Sequence, residues 1–149
     1  MTDLIVTILH HLLVFSLVAM LSAEIAAIRP NMRPDQIDHL ARLDTGYGIV
    51  AGLVILAGIS RLIWGAKGAD FFLGNPWFWG KMIVFVLIAL ISIQPTMAIR
   101  RWNAAARANP SFVPANADIV RARNFMLAEA ALLPLILIFA AAMVRYGAI

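Results

Sequence analysis

A chain of 149 residues that is 62% hydrophobic and only 13% charged carries about half the roughly 25% charge of a soluble globular domain. Its formal charge of +4 does not point to nucleic acid, because the basic residues sit in short connections between apolar runs, where membrane topology accounts for them. The absence of cysteine excludes disulfides, thiolate metal centres and iron–sulfur clusters, and the composition as a whole excludes a disordered chain or an ordinary cytosolic enzyme.

Four runs, at about 4–28, 46–64, 77–99 and 124–145, reach the roughly 20 residues that a ~30 Å hydrocarbon core requires. None alternates with the period of two expected of a barrel strand. The fold class is therefore all-α, an integral membrane four-helix bundle forming one domain over 1–149. The first run reads as a retained helix and not a signal peptide. It has Asp3 in place of a basic leading region, and its apolar stretch is too long.

Residues 34–44 (PDQIDHLARLD) open with Pro34 and Asp35 and place Ile37, Leu40 and Leu43 at helical spacing. They predict a short interfacial helix or an extension of the second span. Within that span Gly48 and Gly52 form a G-x-x-x-G, which lets another backbone approach closely. The contact is expected inside the bundle, or else between protomers of a homo-oligomer. Residues 65–76 are Gly-rich with Phe71 and Phe72 adjacent, and predict an outer-surface turn touching lipid. Pro95 and Pro134 are expected to kink the third and fourth spans. Residues 103–118, rich in Ala, Asn and Pro, read as a flexible cytoplasmic loop. Trp64, Trp77, Trp79 and Tyr146 mark an outer aromatic belt, and Trp102 the inner boundary.

Orientation follows from the basic residues of the short loops. Arg29, Arg33, Arg42, Arg100, Arg101, Arg107, Arg121 and Arg123 fall on one side, against Arg61, Lys67, Lys81 and Arg145 on the other. This bias puts the first group in the cytoplasm and both termini outside, as expected for a multi-pass protein of a bacterial inner membrane. His39 falls in a cytoplasmic connection and receives no role.

An ionisable side chain within a span costs on the order of 2.5–3.5 kcal/mol on the insertion scale unless it faces protein or water. The polar residues of the spans are therefore the candidate functional residues, and they fall in two layers. The outer layer holds His10, His11, Arg61 and Lys81. His10 and Lys81 enter from the same face and lie roughly 6–10 Å deep at 1.5 Å per residue. The inner layer holds Glu24, Gln94, Thr96 and Glu129, with Arg29, Arg100 and Arg123 expected as partners of the acids. His10, Leu17 and Glu24 share a stripe that drifts only about 40° and is expected to face the bundle interior; His11 points about 100° away.

A neutral imidazole in a low-dielectric site is a common ligand for haem iron or a transition metal, which makes His10 and His11 the candidate metal ligands. Arg61 and Lys81 suit the carboxylates of a haem b, with a quinone or membrane carrier as electron partner. Di-haem sites need more histidines, and no three-ligand zinc pattern or nucleophilic hydrolase motif is present. A non-enzymatic reading stays open: a small-solute or metal carrier using Glu24 and Glu129, or an assembly subunit associating through Gly48 and Gly52.

The stretches ILHHLLVFSLVAMLSAEIAAIRP, ARLDTGYGIVAGLVILAGISRLIWGAKGADFF and NPWFWGKMIVFVLIALISIQPT resemble a widespread bacterial family of predicted four-helix membrane proteins of unknown function (DUF2214-like). The chain also resembles, more distantly, the HemJ-type protoporphyrinogen oxidases and CopD-like membrane domains. The matching positions are His10 or His11, Arg29 with Pro30, Trp77 or Phe78 with Lys81, and Arg123 with Asn124. That resemblance implies haem binding and activity for the first-helix His and the third-helix Lys, which makes Lys81 the candidate catalytic residue. The sequence departs from the HemJ-type pattern in the order Arg29-Pro30, and in the later positions of Glu129 and Pro134.

Overall fold

A computed structural model of the protein describes residues 2–64 and 68–146. Four long helices, α1 (Thr2–Ala27), α2 (Pro34–Trp64), α4 (Pro76–Ala108) and α5 (Asn116–Tyr146), are joined by short connections, with a six-residue helix α3 (Gly68–Leu73) between α2 and α4. All four long helices are apolar and long enough to cross a membrane. At 26, 31, 33 and 31 residues they measure about 40–50 Å, more than the ~30 Å of hydrocarbon.

The surplus length gathers at the arginine-rich end, hereafter the basic end. Residues 34–44 are the first turns of α2 and not a separate helix. The predicted loop over 103–118 is largely helical: α4 runs on to Ala108 and α5 starts at Asn116, eight residues before the predicted span. Packing explains the extension. Met32, Ile37, Leu40, Ile99, Ala122 and Met126 are completely buried at this end, in one cluster with Leu21, Ile28, Trp102 and Ile119. The helices thus run on past the predicted spans around a packed core of their own, and the alanines read as loop are strong helix formers. Trp102, expected at a lipid boundary, is instead part of that core at 5% exposure. Pro95 and Pro134 both lie inside unbroken helices.

At the opposite end, the histidine end, the predicted turn contains α3. Phe72 is buried against Phe78 and Met143 and does not face lipid. Asn75 caps α4 by accepting from the Trp77 backbone N–H at 3.0 Å, and its side-chain amide donates to the Met143 carbonyl at 3.4 Å. Trp77 lies 6.1 Å from Tyr146, ring centroid to centroid, and Trp79 at the same end of α4 is exposed. Lys67 and the side chain of Trp64 fall outside the described residues.

α1 packs chiefly on α2 and α4 on α5, and the two hairpins meet through α2–α4 and α1–α5. α1 therefore faces α4, and α2 faces α5, across the bundle's centre. Glycines tighten both hairpins, although not the predicted ones. Gly46 approaches Met20, and a Cβ on Gly80 would stand 2.7 Å from the Phe139 ring. Gly48 and Gly52 are exposed, with no neighbour within 4 Å of the position a Cβ would take, so their motif makes no contact inside the bundle. Gly80→Ala should cost about 1–3 kcal/mol through overpacking, offset by about 1 kcal/mol of helix propensity. Gly52→Ala should gain the propensity alone. Thermal unfolding in detergent is expected to place Gly80→Ala below both the parent and Gly52→Ala.

Candidate functional site

The α1 stripe points inward as its spacing predicts. Leu17 and Glu24 are buried, His10 is half-buried, and neighbouring His11 is exposed. The centre of the bundle is filled differently at its two ends.

At the histidine end the diagonal helices leave a cavity of about 600 Å³, walled mainly by apolar side chains of all four long helices. His10, His11, Arg61 and Lys81 line it together, so the predicted outer layer converges on one space. His10 packs over Gly58, with its Cε1 3.7 Å from the position a Cβ would take. Its Nδ1 is buried and has no hydrogen-bond partner. The His10 and His11 rings meet edge to face at 6.2 Å. Lys81 Nζ lies 5.3 Å from the centroid of the Phe78 ring, a contact worth about 0.5–2 kcal/mol. Arg61 Nε is buried without a partner. Arg61 and Lys81 are close enough to act electrostatically on His10 and, in the case of Arg61, on Lys81. No carboxylate lines the cavity among the described residues, so it presents positive charge on an apolar wall.

Towards the basic end the centre is closed by acids. Glu24 on α1, Asp44 on α2 and Glu129 on α5 are 2%, 4% and 1% exposed. The Tyr47 hydroxyl donates to Glu129 Oε2 at 2.9 Å across the α2–α5 diagonal. The Thr96 hydroxyl of α4 donates to Asp44 Oδ1 at 2.6 Å. From His10 to Glu24 along α1 is about 21 Å at 1.5 Å per residue, which sets the separation of the two layers.

Two expectations change here. Arg29, Arg100 and Arg123 are exposed, and the ion pairs among the described residues join Arg33 to Asp35 and Arg42 and Arg107 to Asp38. Glu24 and Glu129 thus lack the arginine partners predicted for them, because Arg100 and Arg123 sit on the exposed faces of α4 and α5 and Arg29 is exposed in the connection after α1. Asp44, not among the residues expected in the inner layer, is buried there, and Tyr47 joins it. Both continue the α2 stripe of Ile37, Leu40 and Ala41, a register the sequence does contain. Gln94 keeps its place in the layer, with a buried Oε1 that has no partner.

The Tyr47–Glu129 bond joins two helices that lie diagonally across the bundle. Tyr47→Phe removes the donor from a buried carboxyl oxygen, and should destabilise the protein by about 1–3 kcal/mol. Glu129→Gln keeps an acceptor for the hydroxyl and should cost less. Denaturation of both variants in one detergent checks the order.

These features define a four-helix membrane bundle with a cationic, apolar cavity at one end and a buried acid layer towards the other. The chain belongs to the family described as Predicted membrane protein (DUF2214), whose sequence profile matches residues 2–147. No curated protein and no solved structure matches the chain.

Proposed function

We propose that the protein is a redox protein that holds one b-type haem in the histidine-end cavity. The observation carrying this reading is the buried His10 Nδ1, unbonded and set in an apolar cavity beside two cations. A buried acceptor or donor left unpaired costs about 1–3 kcal/mol, and coordination of a haem iron by His10 would satisfy it. Arg61 and Lys81 would pair with the two propionates. The volume lies within the roughly 300–1,000 Å³ of sites for ligands of this size. His10 is favoured over His11 because its Nδ1 is buried and its ring packs against Gly58, whereas His11 is exposed. Haem in this position supplies reversible one-electron transfer, and a quinone or another membrane carrier is the partner of suitable solubility. The weaker HemJ-type resemblance points to the same histidine and lysine, and leaves Lys81 as the catalytic candidate.

We also infer a bacterial inner membrane with the basic end in the cytoplasm and the termini outside. The eight arginines counted for topology are all exposed at one end, as the positive-inside rule requires.

Titration of purified protein with haemin tests the haem reading. A Soret band that saturates at one haem per chain is expected. A linear rise matching empty detergent micelles would overturn it. A second reading, an assembly subunit, is favoured by the outward exposure of Gly48 and Gly52; a smaller oligomer on Gly52→Leu would support it, and an unchanged size would exclude it.

A further inference from the structure

The acid layer towards the basic end takes no part in holding haem. Among its three carboxyls, Asp44 and Glu129 each receive a hydroxyl hydrogen bond, from Thr96 and Tyr47. Glu24 is different. It is 2% exposed, and its Oε1 is buried with no hydrogen-bond partner. The groups facing it are acidic or neutral: Asp44 and Tyr47 from α2 and Glu129 from α5 all act on it or with it electrostatically. α4 contributes Thr96 and Arg100, whose charge acts on Asp44.

Three carboxylate charges out of water, with one guanidinium near one of them, are not sustained in a low-dielectric interior without a further positive charge. That charge must be small. Among the described residues no group of three His, Cys, Asp or Glu side chains is placed to hold a metal ion, so the donors suit a proton and not a chelated cation.

Glu24 itself lines neither open space of the bundle, but its neighbours on α1 line both. One turn towards the histidine end, Leu21 lines the large cavity. On the outer side of α1, Ala23, Ala26 and Ala27 line a surface groove of about 530 Å³ that also carries Arg29, Asp35, Gln36 and His39. That groove brings solvent to the turn of α1 that carries Glu24.

We propose that the acid layer is a proton-exchange site in which Glu24 is the exchanging carboxyl, loaded from the groove at the basic end. In the step, the Glu24 carboxylate forms an O–H bond with the proton of a hydronium ion, which leaves as water; release is the reverse. The assignment holds whether or not haem occupies the other cavity.

Infrared pH-difference spectra of the full chain in detergent test it, with no haem added. A protonated-carboxyl band should appear on acidification, move to lower frequency in D2O, and be lost in Glu24→Gln while His10→Ala leaves it in place. Sodium ions should not change it. An unchanged band in folded Glu24→Gln, a band unshifted by D2O, or a titration that follows sodium overturns the proposal. If Glu24→Gln does not fold, Glu24→Asp replaces it: the band must change frequency, and an unmoved band counts equally against the assignment.

Discussion

His10→Ala is expected to abolish the Soret band of protein purified from haem-replete cells, while His11→Ala leaves most of it. The two histidines are adjacent in sequence and both border the cavity, so composition or general proximity predicts similar losses. Geometry predicts a large difference. The His10 ring packs against Gly58, with Nδ1 buried and hydrogen-bonded to no protein group. His11 lies on the exposed side of α1. Loss of an axial bond should weaken binding by on the order of tenfold or more, equivalent to at least about 1.4 kcal/mol. Lys81→Ala should have a smaller effect, a weaker affinity with the band position retained, because a propionate contact adds binding without changing ligation. Binding spectra of the three variants at matched protein concentration decide the order.

Trp102→Ala should destabilise the protein by about 3–5 kcal/mol, as removal of a buried indole from a close-packed core does. For a chain of this length that corresponds to a thermal shift on the order of 10 °C. A tryptophan anchoring the protein at a lipid boundary would cost far less. Trp79 supplies the contrast: it is 51% exposed, and its indole N–H donates to the Leu73 carbonyl at 3.0 Å. Trp79→Ala should lose about 1 kcal/mol, the worth of an exposed hydrogen bond. Parallel melts of the two variants test whether the basic end is a packed lobe or a loosely ordered rim.

The contrast between these tryptophans shows what the sequence discloses about such a protein. Span number and the depth of His10 and Lys81 follow from hydropathy and residue counting, because the lipid imposes a fixed thickness. The packed basic end is harder to read. Its core uses the ordinary spacing of soluble helices, as at Ile37, Leu40, Asp44 and Tyr47, which is diluted by Asp35, Asp38 and Arg42 on the outer face. Asp44 therefore looks like one more surface charge, although the same register that buries Leu40 buries it. Small-residue spacing has a related weakness. Gly48 and Gly52 satisfy a motif yet face outward, whereas Gly46 and Gly80, in no motif, are the ones against Met20 and Phe139. Partners of buried acids are also not set by nearness along the chain. Arg29 follows Glu24 by little more than one turn, but it is exposed while Glu24 is buried.

Whether the histidine-end cavity is a haem site is decided by the pyridine haemochromogen content of detergent-purified protein from cells supplied with a haem precursor. Close to one haem b per chain is expected, with a reduced spectrum that changes in His10→Ala. Protein that is folded by its thermal melt but holds no haem under those conditions would contradict the assignment.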